Sequence, residues 1–196
     1  MGYGYTNVSA TTAAVNNRFV ASTNMIVGTY TVANPSPVWA GACLVTVTHT
    51  TATGTDTLGT IAIVGTDINN RALTETITPV ADAVATGTKF FRTITTITGA
   101  GWVINGGNDT IVVGCAAGAY VATSAGTLRA LVVNTTAAAT VVLSDQKGTI
   151  ATLKASIAEN TYYYDVDYAG YLKIATTSTN DVTAIHTATL PTSYSL

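Results

Sequence analysis

Residues 59–80, "GTIAIVGTDINNRALTETITPV", decide how this chain is read. Two apolar-alternating runs flank the polar stretch "TDINNRA", and alternation with a period of two marks a strand with one buried face. Ile61 and Ile63 on one side and Leu73 and Ile77 on the other can share that face. The middle invites a second reading, because Asp67, Asn69 and Asn70 cluster as oxygen donors. A calcium loop starting at Asp67 would need a donor at 71, a glycine at 72 and a bidentate glutamate at 78. The chain places Arg71, Ala72 and Thr78 there, and a cation in the middle of a cation site is electrostatically wrong. Asn and Asp instead tolerate a positive φ and bond to their own backbone, which is turn chemistry. The stretch is expected to be a β-hairpin with no metal.

The same grammar extends in both directions. Strand-like segments recur at 25–33, 43–49, 60–65, 72–78, 89–98 and 110–116, with 89–98 ("KFFRTITTIT") as the longest. Between them lie a Pro-broken turn ("NPSPVW"), a loop at 51–59, a crossover at 79–87 and a Gly-rich turn region at 99–109. Composition shifts at 116–120, and the pattern restarts at 127–134, 140–145, 149–155, 161–168, 171–176 and 181–187. Only "IATLKASIAEN" (150–160) offers a helical alternative, through its Ala, Leu and Lys. The expected fold is all-β: two antiparallel β-sandwich-like domains preceded by an extended N-terminal arm. The arm spans 1–24, the first sandwich 25–117 and a smaller C-terminal antiparallel domain 118–196. The arm is small, polar and aperiodic, and needs something to tie it down. A neighbouring subunit is the expected anchor, with a tuck against its own domain as the alternative.

Composition narrows the function classes. Hydrophobic residues make up 47% of the 196 and charged residues only 9%, against about 25% charged in ordinary soluble domains. Threonine is roughly one residue in five, and β-branched side chains suit a pleated, half-buried surface. Surfaces this short of charge are poorly protected from association, so the chain is expected to pack much of its surface against copies or partners, with Thr and Ser carrying the solubility as the alternative. Its eight Lys and Arg are scattered and the net charge is −2, which gives no basic patch for nucleic acid. The N-terminal stretch has neither the basic nor the apolar region of a secretory signal, and no run approaches the roughly 18 apolar residues of a membrane span. Synthesis in a cytoplasm and use in soluble or assembled form are expected.

The chemistry-bearing residues read mostly as structure. Cys43 and Cys115 lie near the two ends of the first sandwich, and both are expected to be buried thiols whose pairing stays open. Trp39 precedes Cys43 and Trp102 follows far behind, so the immunoglobulin signature fails. "GAGWV" (99–103) resembles a dinucleotide fingerprint, but Ile104 stands where the third glycine belongs and no helix follows. His49 and His186 end strands without a Cys or His at metal spacing, and no serine has a nucleophile-elbow context. In "TYYYDVDYAGYLKI" (161–174), alternation places Tyr162, Tyr164 and Val166 on one face and Tyr163, Asp165 and Asp167 on the other. Tyrosine is enriched at interfaces, so this Tyr162–Tyr171 cluster is expected to be core or interface, with a sugar or metal ligand as the alternative. No nucleophile, base and orienting group come together, so neither an enzyme nor a cofactor is expected.

The stretch "VTVTHTTATGTDTLGTIAIVGTDINNRALTETITPVADAVATGTKFFRTITTITGAGWVI" (45–104) resembles a pattern of tailed-bacteriophage structural proteins. Its skeleton is a strand ending in G-T-D, an N-N turn, "TETIT", a short crossover and a K-F-F-x-T-I-T-x-I strand. "YYYDVDYAGYLKI…VTAI" (162–185) resembles the closing hairpin of small phage β-domains. The resemblance implies a virion component, most like a capsid decoration (cement) protein bound over junctions of the major capsid protein. Copies of the chain itself, with a trimer favoured, would be its other partners. The alternatives are a tail, head-tail adaptor or head-fibre component, or a carbohydrate- or receptor-binding module. No catalytic residue is implied.

Overall fold

The computed structural model describes residues 3–52, 56–103, 105–136 and 138–188. Every regular element among them is a strand: β1 (Gly4–Val8), β2 (Val15–Asn24), β3 (Thr29–Tyr30), β4 (Cys43–Thr50), β5 (Thr60–Thr66), β6 (Ala72–Ile77), β7 (Val84–Phe91) and β8 (Thr93–Ala100). The second half continues with β9 (Thr110–Cys115), β10 (Ala119–Ala122), β11 (Gly126–Thr135), β12 (Val141–Asp145), β13 (Gly148–Leu153), β14 (Asn160–Tyr168), β15 (Leu172–Thr176) and β16 (Asp181–Ala188). The fold is all-β and sandwich-like, built from four antiparallel four-stranded sheets in two units. Part of the 51–59 loop (53–55) and Ile104 lie outside the described residues.

The inserted unit comprises Ala14–Pro37 and Ala42–Ala117. Its sheets run β2-β9-β4-β7 and β3-β8-β5-β6. The opening stretch forms the β5–β6 hairpin, with Ile61 opposite Ile77 and Thr66 opposite Ala72. Ile61 and Ile63 are fully buried, as are Ile97, Phe19 and Phe91. At the tip, the Asp67 carboxylate accepts from the backbone N–H groups of Asn69 (2.8 Å) and Arg71 (2.9 Å). Asn70 closes the turn with φ at 61°. The oxygen that looked like a metal donor is spent on the turn itself.

The terminal unit comprises residues up to Ala13, Val38–Gly41 and everything from Gly118. Its sheets run β1-β16-β11-β14 and β10-β15-β12-β13, around Leu128, Leu131, Leu143, Leu172, Ile174 and Val182. Trp39 is buried on the short Val38–Gly41 visit, which needs a glycine at 41. There φ is +104° and a Cβ would lie 2.7 Å from the Tyr120 carbonyl oxygen.

Two expectations need correction, the N-terminal arm and the run 89–98. Residues 1–24 are not an extended arm left for a neighbouring subunit but follow the alternative, a tuck against the chain's own sheets: β1 pairs with β16, and β2 pairs with β9. The sequence hid β1 because its inward side is Gly4, Thr6 and Val8, too small and polar to show alternation until β16 is beside it. The C-terminal unit takes in β1 as well as β10–β16, so among the described residues each unit has eight strands. The run 89–98 is not one strand. Phe91 pairs with Cys43 of β4, and Thr93 pairs with Thr66 of β5. The Arg92 N–H donates to the Thr66 carbonyl at 2.8 Å, so the chain changes sheets there, a corner that uninterrupted β-branched residues do not announce. The helical alternative at 150–160 is not taken: the segment is strand to Leu153, then a turn with Ser156 at φ 58°.

The tip offers a direct test. Asn70→Val should lower the inserted unit's stability by about 1–2 kcal/mol, because a β-branched residue resists positive φ. Asn70→Gly should match or exceed the parent, with urea unfolding as the measurement.

Candidate functional site

The surface that carries the most chemistry is the outer face of the β1-β16-β11-β14 sheet. Across it runs one register row: Tyr5 opposite Ile185, Ile185 opposite Ala130, and Ala130 opposite Tyr163. Tyr5 is 68% exposed and Tyr163 80%. Three strand spacings put the two tyrosine backbones about 14 Å apart, with the buried Ala130 and the half-buried Ile185 between them. Tyr3, 57% exposed, extends the aromatic edge.

Polar groups frame this row. The Arg129 guanidinium donates to the Asp165 carboxylate at 2.7 Å, and the Thr127 hydroxyl donates to Asp167 at 2.7 Å. Asp165 raises the guanidinium's affinity for its proton, although an exposed pair of this kind adds little stability. On the other side, Asn7 (2.6 Å) and Asn134 (3.0 Å) both donate to Asp181. The face therefore presents aromatic rings, one cation and three carboxylates, already cross-linked into fixed positions.

The tyrosine cluster of the sequence does not stay together. Tyr163, Asp165 and Asp167 are exposed, and Tyr162 and Tyr164 half-buried, as alternation predicts. Val166 departs from the pattern with 41% exposure. The cause is a bulge: register shifts between Leu128 and Ala130, and Asp165 takes φ 49°. Tyr168 is core; burial pushes its phenol up to about 12, and its hydroxyl donates to the Thr187 carbonyl at 2.9 Å. Tyr171 stacks edge-on against Tyr120 at 5.2 Å. Tyr3 and Tyr5 were missed as partners of Tyr163. Their signal was the alternation of Tyr3, Tyr5 and Asn7 in "YGYTN".

The two histidines sit in different units. In the inserted unit, His49 Nε2 donates to Asp109 Oδ2 at 3.0 Å, with both side chains 1% exposed. The Asp82 N–H donates to His49 Nδ1 at 3.3 Å, which assigns the ring proton to Nε2. This is two-thirds of a triad geometry, but a backbone amide stands where a nucleophile would have to be. Asp109 Oδ1 accepts from the Ala52 N–H at 2.8 Å, and Asp82 accepts from the Thr51 N–H at 2.7 Å. The pair thus ties three loops together. Burial works against the Asp109 carboxylate, but the Ala52 N–H, Asp56 and His49 outweigh it and hold its pKa below the usual range.

In the terminal unit, His186 is buried beside Gly4 of β1, where a Cβ would lie 3.0 Å from its Cε1. Its Nε2 is buried without a hydrogen-bond partner, and burial lowers its pKa. A groove of about 320 Å³ lies along β2 and β3, lined by Val20, Ser22, Thr23, Val27, Thr29 and Tyr30 among others. Hydroxyls and apolar groups dominate it. Tyr30 is its one titratable group, raised by burial and bonded to the Met25 carbonyl at 2.6 Å. Among the described residues no cluster of His, Cys, Asp or Glu could hold a metal ion, and no helix is long and apolar enough to cross a membrane.

Two outcomes follow from the buried groups. Asp109→Ala strands the His49 and Ala52 donors and should cost the inserted unit about 3 kcal/mol in urea unfolding. His186 has a depressed folded pKa, so below about 6.5 the unfolded chain takes up a proton that the folded chain refuses. Stability should therefore fall as pH drops from about 7.5 to 5.5, and His186→Gln should flatten that slope. The lowered Asp109 acts separately, its stabilisation present at neutral pH and lost only below about pH 4. Thermal melts across pH read both.

No family model, no curated protein and no solved structure matches this chain, so its site is read from its own geometry.

Proposed function

We propose that this chain is a structural protein of a tailed-bacteriophage virion, decorating the head by binding across major capsid subunits and cementing them. The observation that carries the reading is the pair of exposed rings, Tyr5 and Tyr163, at the two ends of one register row on a chain with only 9% charged residues. Exposed aromatic groups on a surface with little charge are what a permanently contacted face looks like. The resemblance of 45–104 and 162–185 to phage structural proteins supports the same class. Because β1 is committed to its own sheet, the contact is assigned to this face and not to an N-terminal arm. Repetition on a symmetric lattice, with a trimer of this chain as the unit, would turn modest contacts into tight attachment.

Quantitative protein measurement on purified particles tests it. Decoration requires hundreds of copies per particle, whereas about six or twelve would move the chain to the tail axis or adaptor. Tyr5→Glu with Tyr163→Glu should abolish attachment while leaving the melting profile intact; full occupancy by this variant would overturn the assignment of the face.

A second reading has its own observation. Tyrosine rings flanked by Asp165, Asp167 and two asparagines are also the composition of a saccharide platform, in which rings stack and carboxylates accept sugar hydroxyls. A glycan array would show it as binding lost in Tyr163→Ala and in Asp165→Ala.

A further inference from the structure

Cys43 is the first residue of β4 and Cys115 the last of β9. These strands are the two central members of one sheet, and Val45 is the direct partner of Cys115. Cys43 therefore stands diagonal to Cys115 on the same face. Both side chains are fully buried, and their sulfurs lie 3.1 Å apart. That is closer than the roughly 3.5–4.0 Å of ordinary apolar packing. Both thiols are free, and no third ligand makes the pair a metal site among the described residues.

We propose that Cys43 and Cys115 are a latent intramolecular disulfide, which closes when the unit opens transiently in the presence of a small-molecule disulfide oxidant and is retained in the refolded unit. The inference does not depend on the function proposed above. The step balances as a two-stage exchange. One cysteine, as thiolate, attacks the small disulfide and expels a small thiolate. The second cysteine, also losing its proton, displaces the remaining small thiol and forms the Cys43–Cys115 bond. Two protein S–H bonds and one small-molecule S–S bond are lost, and one protein S–S bond and two small thiols are gained. The sulfurs need to approach by only about 1 Å.

Two features argue for a lock and against a reactive centre. The hydrogen bond with the Cys115 thiol, together with burial, raises the Cys43 pKa, which suppresses attack while the unit is closed. The bond would span 72 residues of chain, nearly the whole of Ala42–Ala117. Closing so long a loop restricts the unfolded ensemble strongly.

The purified full-length chain is reduced, then equilibrated with oxidised glutathione in a urea concentration just below the unfolding transition, so that burial is no barrier. The expected product is a monomer lighter by two hydrogen atoms, with no titratable thiol after denaturation and a Cys43–Cys115 cross-linked peptide. Its melting temperature should exceed that of the reduced chain by roughly 10 °C or more and return with dithiothreitol. Cys43→Ser and Cys115→Ser should each show no such rise. Two persistent free thiols, two glutathione adducts, a disulfide-linked dimer, or an internal bond that lowers the melting temperature would each overturn the proposal.

Discussion

The structure depends on the pairing of its first strand with its last. β1 and β16 run antiparallel from Gly4 opposite His186 to Val8 opposite Val182, so one sheet joins residues separated by nearly the whole chain. Asn7 and Asp181 fix this register from the outside, and Val8 and Val182 fix it from the core. Thr12 extends the join: its N–H donates to the Thr176 carbonyl at 3.1 Å, while its hydroxyl accepts from the Thr176 N–H at 2.8 Å. Loop-closure entropy must be overcome before such contacts return anything. The inserted unit closes a shorter loop, its longest pairing being Val15 with Cys115.

That arrangement explains which parts of the fold were legible. Strands whose partners are close in sequence announced themselves, and the β5–β6 hairpin could be read down to its tip because Asp67 and Asn70 have local jobs. Strands with distant partners, such as β4, β9, β11 and β16, were legible where they carry their own β-branched alternation, and elements without it were not. β1 has no apolar stripe of its own, and β10 is four residues of "AYVA", all buried, which reads as a linker until β15 lies beside it. The break at Arg92 is a matter of which sheet each half joins, and a run of Thr and Ile carries no mark of that choice.

The surface divides in the same way. Alternation within β14 was enough to send Tyr163, Asp165 and Asp167 outward, because a period of two is a local property. Nothing local places Tyr5 on the same row, since that juxtaposition passes through Ile185 and Ala130 on two other strands. Likewise the sequence offers His49 and Asp109 as separate, unremarkable residues. Their pairing follows from β4 and β9 being neighbours, and a buried pair with backbone donors on its remaining acceptors serves as a loop anchor.

The hydrogen bond from the Gly118 N–H to the Thr12 carbonyl, 2.8 Å long, belongs to the same join as Thr176. It brings together the point where the chain leaves the terminal unit and the point where it finally comes back. A polypeptide emerging in order must hold β1 in waiting while more than half of its length is made, and no chain that stops short of Asp181 can ever satisfy it. The terminal unit therefore closes late: without Asp181–Ala188, β1 keeps an unpaired strand edge.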